Sequence, residues 1–177
     1  MDKRINRRTA LRNLLIIAGG AMVLPACYRQ SGSATVALNN LDISEADENL
    51  LAELVEALIP ATDTPGGKEL LLHLFVLKMV DDCHSPEDQQ AFSAGLNAFA
   101  KWAPNELGSS FADADPAKKE ALLQSVQDGN APDESIGKFY GITKRRAIQG
   151  YMNSEYVMTN LVKYELVPGR YDGYAKA

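Results

Sequence analysis

Two cysteines and two histidines in 177 residues leave almost nothing with which to hold a metal ion, attach a haem or activate a nucleophile. No Cys-x-x-Cys-His run is present. Cys83 and His84 are adjacent, so their side chains leave the backbone in different directions, and no second pair follows at ligand spacing. They read as a helix-end cysteine beside a solvated histidine. His73 stands among leucines and reads as a core or interface residue rather than a base. No glycine-rich phosphate loop follows a strand, and no apolar-polar alternation runs long enough to build a sheet. The uncharged apolar run Leu14 to Leu24 is eleven residues long, short of the ~20 that a membrane-spanning helix needs. Charge excludes a further class. Lys and Arg number 18 and Asp and Glu 23; residues 1–26 hold five of the bases and one of the acids, leaving 13 against 22 and a net charge of −9. So acidic a chain is a poor binder of nucleic acid. With no nucleophile–base or acid–base pair to place, the sequence argues for a chain that is not itself an enzyme.

What is there begins with an export signal. Met1 to Arg12 carries Lys3, Arg4, Arg7, Arg8 and Arg12 against the single acid Asp2, and Leu14 to Leu24 follows as the apolar core of a secretory signal peptide. Asn6-Arg7-Arg8-Thr9-Ala10-Leu11-Arg12 resembles the twin-arginine motif, which makes Arg7 and Arg8 the residues an exporter would read. That exporter moves folded proteins. A small chain with no cofactor motif of its own has little need of it, so the implied cargo is a folded partner carried as a passenger. Arg145-Arg146 has no such apolar stretch behind it and reads as a solvated helix face. The signal spans residues 1–26, with its end open between 26 and 34. Leu24-Pro-Ala-Cys27 resembles a lipobox, so lipidation of Cys27, cleavage after Gly32-Ser33-Ala34 and no cleavage all stay open. A Cys27–Cys83 disulfide is allowed by an oxidising periplasm and is not inferable from two residues.

Residues 27–43 are small and polar and read as a flexible tether, with a helical domain over 44–177. Ser44-Glu-Ala-Asp47 is a capping-box variant opening a helix whose apolar positions are Leu50, Leu51, Leu54, Val55, Leu58 and Ile59. Pro60 ends it. Glu69 to Val80 is apolar on nearly every side, which predicts the central helix of a bundle. Ser85-Pro86-Glu87-Asp88 starts a third helix with Phe92, Leu96 and Phe99 buried, and Pro104 to Ala114 reads as an irregular loop returning Phe111 to the core. Asp115-Pro116 starts a fourth with Leu122, Leu123 and Val126 inward and Gly129 past its end. Asp133 or Glu134 opens the last, where Ile136, Phe139, Tyr140, Ile142, Ala147 and Tyr151 recur near helical spacing. Gly137, Gly141 and Gly150 interrupt it at up to about 1 kcal/mol each, which predicts close helix packing or a break near Gly150. The fold class expected is all-α, a small bundle of about five helices with a Pro/Gly-rich loop after the first, preceded by the signal peptide.

That loop, Ile59-Pro-Ala-Thr-Asp-Thr-Pro-Gly-Gly67, is the hinge of the domain: two prolines fix φ, two glycines permit positive φ, and Thr62, Asp63 and Thr64 can hydrogen-bond their own backbone. Leu58-Ile-Pro-Ala-Thr-Asp-Thr-Pro-Gly66 resembles the signature loop of the gluconate 2-dehydrogenase subunit 3 family. Gly150-Tyr151, Ser154-Glu155 and Val167-Pro-Gly-Arg-Tyr-Asp-Gly173 resemble its C-terminal pattern, so the likeness covers about residues 44 to 173. The resemblance implies a small, cofactor-free subunit, and the export signal implies that it works in the periplasm. The resemblance also implies a large FAD-dependent glucose-methanol-choline-type dehydrogenase as partner, and a cytochrome c subunit with haem c as a third component in some complexes. Membrane association would come through that cytochrome or through a lipid anchor. Stiff loops lose little entropy on binding, so Thr62, Asp63, Thr64, Pro65 and Gly66 with Pro168, Gly169 and Tyr171 are the expected partner interface.

Overall fold

Each α-helix but one starts where a side chain can close its first turn. In α1, Glu45–Leu58, the Ser44 hydroxyl accepts the Asp47 N–H at 3.2 Å while the Asp47 carboxylate accepts the Ser44 N–H at 3.1 Å, a complete capping box. Ser85 accepts the Asp88 N–H ahead of α3, Pro86–Leu107. Asp115 accepts from Ala117 ahead of α4, Pro116–Gln127, and Asp133 from Ser135 ahead of α5, Glu134–Met152. The exception is α2, Leu72–Cys83, whose N-cap Leu71 has no capping side chain and sits in the left-handed region at φ 53, ψ 34. A short π-helix, Val157–Leu161, follows α5. This is a computed structural model, and it describes residues 34–162 together with 164, 165, 167 and 169. Arg7, Arg8, Cys27, Pro168 and Tyr171 lie outside the described residues. Among the described residues there is no strand, and no helix is long and apolar enough to cross a membrane.

The expected all-α bundle is what the described residues form, with differences that have local causes. The central helix is α5 and not the apolar α2: α5 packs on all four other α-helices and on the π-helix, whereas α2 does not reach α4. Ile136, Phe139, Ile142, Thr143, Ala147 and Gly150 bury more than one side of α5, several of them being small enough to let neighbours close in. Helix α2 begins three residues after Glu69, because Lys68 to Leu71 are spent on turns in which Leu70 N–H binds Gly66 O and Leu71 N–H binds Lys68 O. Pro104 does not end α3. The helix continues to Leu107 because its buried stripe continues through Ala103 and Leu107, and left-handed Gly108 then closes it by donating to Pro104 O at 2.9 Å. Beyond it Phe111 returns to the core, edge-on to Phe99 at 5.4 Å.

Part of the expected tether is folded. Residues 34–43 lie on the bundle, with Leu41 and Ile43 buried, and the anchor is a side chain of α2. The carboxylate of Asp81, 1% exposed, accepts the N–H groups of Asn39, Asn40 and Leu41 at 2.8, 2.7 and 3.0 Å, while Asn40 Nδ2 donates to the Asp81 carbonyl. Three backbone donors converging on one buried carboxylate stabilise it in the charged form. Burial by itself raises the Asp81 pKa; the three N–H donors and Lys78 outweigh it, and the net shift is downward.

Of the three α5 glycines expected to permit close packing, only Gly150 does so: a Cβ there would lie 2.7 Å from the Phe75 ring. Gly137 and Gly141 face open space, and the helix runs unbroken through Gly150 to Met152. Of the described glycines the most closely approached is Gly95 of α3, where a Cβ would meet the Ser135 carbonyl oxygen at 2.2 Å. That approach brings Phe92 and Phe99 edge-on or tilted against Phe139, at 5.1 and 5.9 Å between centroids.

Candidate functional site

The proline-glycine loop is held from beneath by one carboxylate. Glu56, in the last turn of α1, accepts the Ala61 N–H at 3.1 Å on one oxygen and the Lys68 N–H at 2.8 Å on the other, so it closes both ends of the loop at once. Gly67 N–H adds a bond to Ile59 O at 2.8 Å, and Thr62 N–H one to Thr64 O at 3.0 Å. Neither Gly66 nor Gly67 has positive φ. The sequence reading expected that freedom from them; what they supply is close approach. A Cβ on Gly66 would strike the Glu56 carboxylate at 2.6 Å, and one on Gly67 the Val55 carbonyl oxygen at 2.5 Å. The residue in the left-handed region is Leu71, at a cost of about 1 kcal/mol for a side chain that is 54% exposed.

The loop meets the C-terminal end of α5. Tyr151 donates its hydroxyl hydrogen to Thr64 Oγ1 at 3.2 Å. Next to that bond a cleft of about 630 Å³ opens, with Pro65 of the loop on one side and Leu70, Leu72, Phe75 and Gly150 forming its apolar floor. Its polar rim is contributed by Asn153, Ser154, Thr159 and Asn160, and by the carboxylates Glu69 and Glu155. Among the described residues no lysine, arginine or histidine lines it. Exposed apolar side chains gather along the same stretch of chain: Met152, Leu161, Val162, Tyr164 and Val167, the last 83% exposed. Isolated exposed apolar residues are ordinary; a run of them after one helix is not.

Thr62 and Asp63 are exposed, Thr64 and Pro65 half-buried, and Gly66 buried. Gly169 is exposed. The residues that sequence reading did not single out are Glu56, Leu71 and the segment Val157–Asn160. An acid four residues before a Pro-x-x-x-x-Pro-Gly-Gly loop is a readable signal for the first. For Leu71 no local signal exists, because a leucine between leucines gives no hint of a left-handed φ.

Two polar sites elsewhere are structural. His73 is buried, as expected for a core or interface histidine, and its Nδ1 has no hydrogen-bond partner among the described residues. Burial lowers its pKa; Lys68 lowers it further against the opposing pull of Glu48. His84 is not the solvated side chain expected from the sequence, and Arg146 is not on a solvated face. Arg146 Nε donates to His84 Nε2 at 3.0 Å and its guanidinium also reaches Gln149 at 2.7 Å, tying the α2–α3 corner to α5. Cys83 is exposed at the end of α2. Among the described residues no group of three or more His, Cys, Asp or Glu side chains is placed to hold a metal.

Fold and surface together define a small all-α bundle whose most developed feature is a clamped loop beside an acidic, apolar-floored cleft. The chain belongs to the gluconate 2-dehydrogenase subunit 3 family, whose model matches residues 45–169. By that membership it is an accessory subunit of a dehydrogenase complex and associates with other subunits of it. No curated protein and no solved structure matches the chain.

Proposed function

We propose that this chain is the non-catalytic small subunit of a periplasmic FAD-dependent sugar dehydrogenase complex, with gluconate, glucose or a glycoside oxidised at C3 as the substrate. In this reading the twin-arginine signal exports the folded catalytic subunit as a passenger, and the helical domain stabilises that subunit afterwards. FAD belongs to the large glucose-methanol-choline-type partner, and haem c to a cytochrome subunit where one is present. The observation that carries the reading is the coincidence, in one chain, of family membership over 45–169 with a signal for folded cargo at Arg7-Arg8. The surface proposed to face the flavoprotein is the loop Thr62 to Gly66 with the C-terminal tail around Pro168, Gly169 and Tyr171; for the loop, the position of Pro65 at the cleft and the Tyr151–Thr64 bond support it.

The test is export. Changing Arg7 and Arg8 to lysine keeps the charge and removes the guanidinium geometry the exporter reads. Both subunits then stay in the cytoplasm, by fractionation and by flavin-linked dehydrogenase activity in the periplasm. A large subunit that still reaches the periplasm in active form refutes the escort role.

A second reading rests on Cys27 in Leu24-Pro-Ala-Cys27: a membrane-anchored structural lipoprotein that binds another periplasmic partner. Cys27→Ser separates it from the first, since it releases the chain from membranes only if that cysteine carries lipid.

A further inference from the structure

We infer that the cleft between Pro65 and the Ser154–Asn160 segment receives a basic, apolar segment of the dehydrogenase's large subunit, and that Leu71 is the knob that segment packs against. The inference rests on the proposed function for the partner's identity and deepens it by giving the contact a place and a chemistry. Three observations carry it. The floor is apolar, with Leu72 buried and Leu70 and Phe75 half-buried at the cleft. Its rim holds Glu69 and Glu155 with no cation, and neither carboxylate has a hydrogen-bond or ion-pair partner among the described residues, so the charge that complements it is positive. Leu71, between Leu70 and Leu72 in the chain and beside the cleft rather than lining it, is held left-handed and exposed, although a glycine there would relieve the strain without loss to the bundle core. The turn needs the left-handed backbone but not the exposed leucine side chain, so an exposed leucine kept where glycine would serve points to use outside the fold.

The occupant this selects is an extended or helical segment with a lysine or arginine that reaches the two carboxylates. Aliphatic or aromatic side chains beside it cover Phe75 and Leu71. Asn153 and Asn160 spend Nδ2 hydrogens on Gln149 O, Tyr156 O and Thr159 Oγ1, which leaves their Oδ1 atoms to accept from its backbone N–H groups. The competing occupant is this chain's own residues 170–177, which include Arg170 and Lys176.

The experiment uses the full-length, tagged chain co-expressed with the large flavin subunit, and reads co-purified flavin per mole of chain. Two variants probe the cleft in different ways. Glu69→Lys with Glu155→Lys reverses the rim charge at exposed positions, and is expected to lower recovered flavin about tenfold or more. Leu71→Gly relieves the strained backbone while removing the knob. It is expected to leave the melting temperature unchanged or higher and still weaken recovery, a combination that misfolding does not produce. If the parent chain recovers the flavin subunit and both variants recover it equally well, the cleft assignment is overturned while the proposed function stands. If the parent recovers none, the proposed function fails and this inference with it. If deleting residues 170–177 abolishes the effect of the charge reversal, the chain's own tail fills the cleft and the inference is again overturned.

Discussion

The substitution Gly95→Ala measures how tightly α3 and α5 are pressed together. A Cβ built at Gly95 lies 2.2 Å from the Ser135 carbonyl oxygen and 2.5 Å from Phe139 Cβ, and ordinary contact begins near 3.4 Å. One obstacle is backbone and the other is a Cβ fixed to it, so neither can rotate away. The two helices must separate by about 1 Å, and a gap of that size forfeits a quarter to a half of each dispersion contact it opens. The contacts at stake include Phe92 and Phe99 on Phe139, all three fully buried. Overpacking of this kind costs about 3 kcal/mol, from which up to about 1 kcal/mol is recovered because alanine is the better helix former. A net loss of about 2 kcal/mol lowers the Tm by roughly 4–10 °C for a folded unit of this size. Gly137→Ala and Gly141→Ala are the controls. Both positions face open space without positive φ, so each is expected to gain about 0.5–1 kcal/mol. Thermal melts by far-UV circular dichroism, with urea midpoints on the same samples, rank the three against the parent. A Gly95→Ala chain as stable as Gly137→Ala refutes the reasoning.

Asp81→Asn keeps shape but replaces an acceptor of three backbone N–H bonds with a group that must turn a donor toward one of them. About 2 kcal/mol of stability and the hydrogen-exchange protection of the Asn39, Asn40 and Leu41 amides are expected to go; protection that persists sinks the anchor. Acid destabilises the domain in two windows. The His73 pKa is lowered in the fold, so the unfolded chain takes up its proton first and stability begins to fall below about pH 6.5. The Asp81 pKa is also lowered, so its contribution is complete above about pH 4 and is lost as pH falls further through the folded value. His73→Leu removes the first window and, having no unpaired Nδ1 to bury, is neutral or stabilising at pH 7; denaturant midpoints from pH 7.5 to 5 that decline as steeply as the parent's contradict this. At the loop, Thr62→Arg with Asp63→Arg, both exposed, is expected to weaken capture of the flavin subunit with little change in melting temperature. Thr64→Arg breaks the Tyr151 hydrogen bond and is expected to lose about 1 kcal/mol as well. Loop variants that capture the partner as well as the parent does place the contact elsewhere.

Local chemistry was legible in the sequence. Ser44, Ser85, Asp115 and Asp133 each close the first turn of a helix, and the inward faces built on Leu51, Phe92, Leu123 and Phe139 follow from spacing alone. Capping and amphipathic periodicity act within one or two turns of chain, so they can be read without knowing what lies across the bundle. The loop likewise declared itself through its prolines and glycines, and with the C-terminal pattern it carried the family resemblance.

What only the tertiary structure decided depends on residues far apart in the chain. Hydropathy made α2 the obvious centre, yet α5 holds that place because Gly95, Ala147 and Gly150 set how near its neighbours approach, and approach distance is a property of two helices. A polar stretch at 34–43 looked like a tether until Asp81, some forty residues later, supplied the acceptors its backbone needed. Glycines at 66 and 67 suggested positive φ; the tertiary constraint was the Glu56 carboxylate and the Val55 carbonyl lying against them. The cleft is the extreme case. Pro65 and Ser154 come together because α1, α2 and α5 pack as they do, and a surface assembled from opposite ends of a chain has no signature in either end alone.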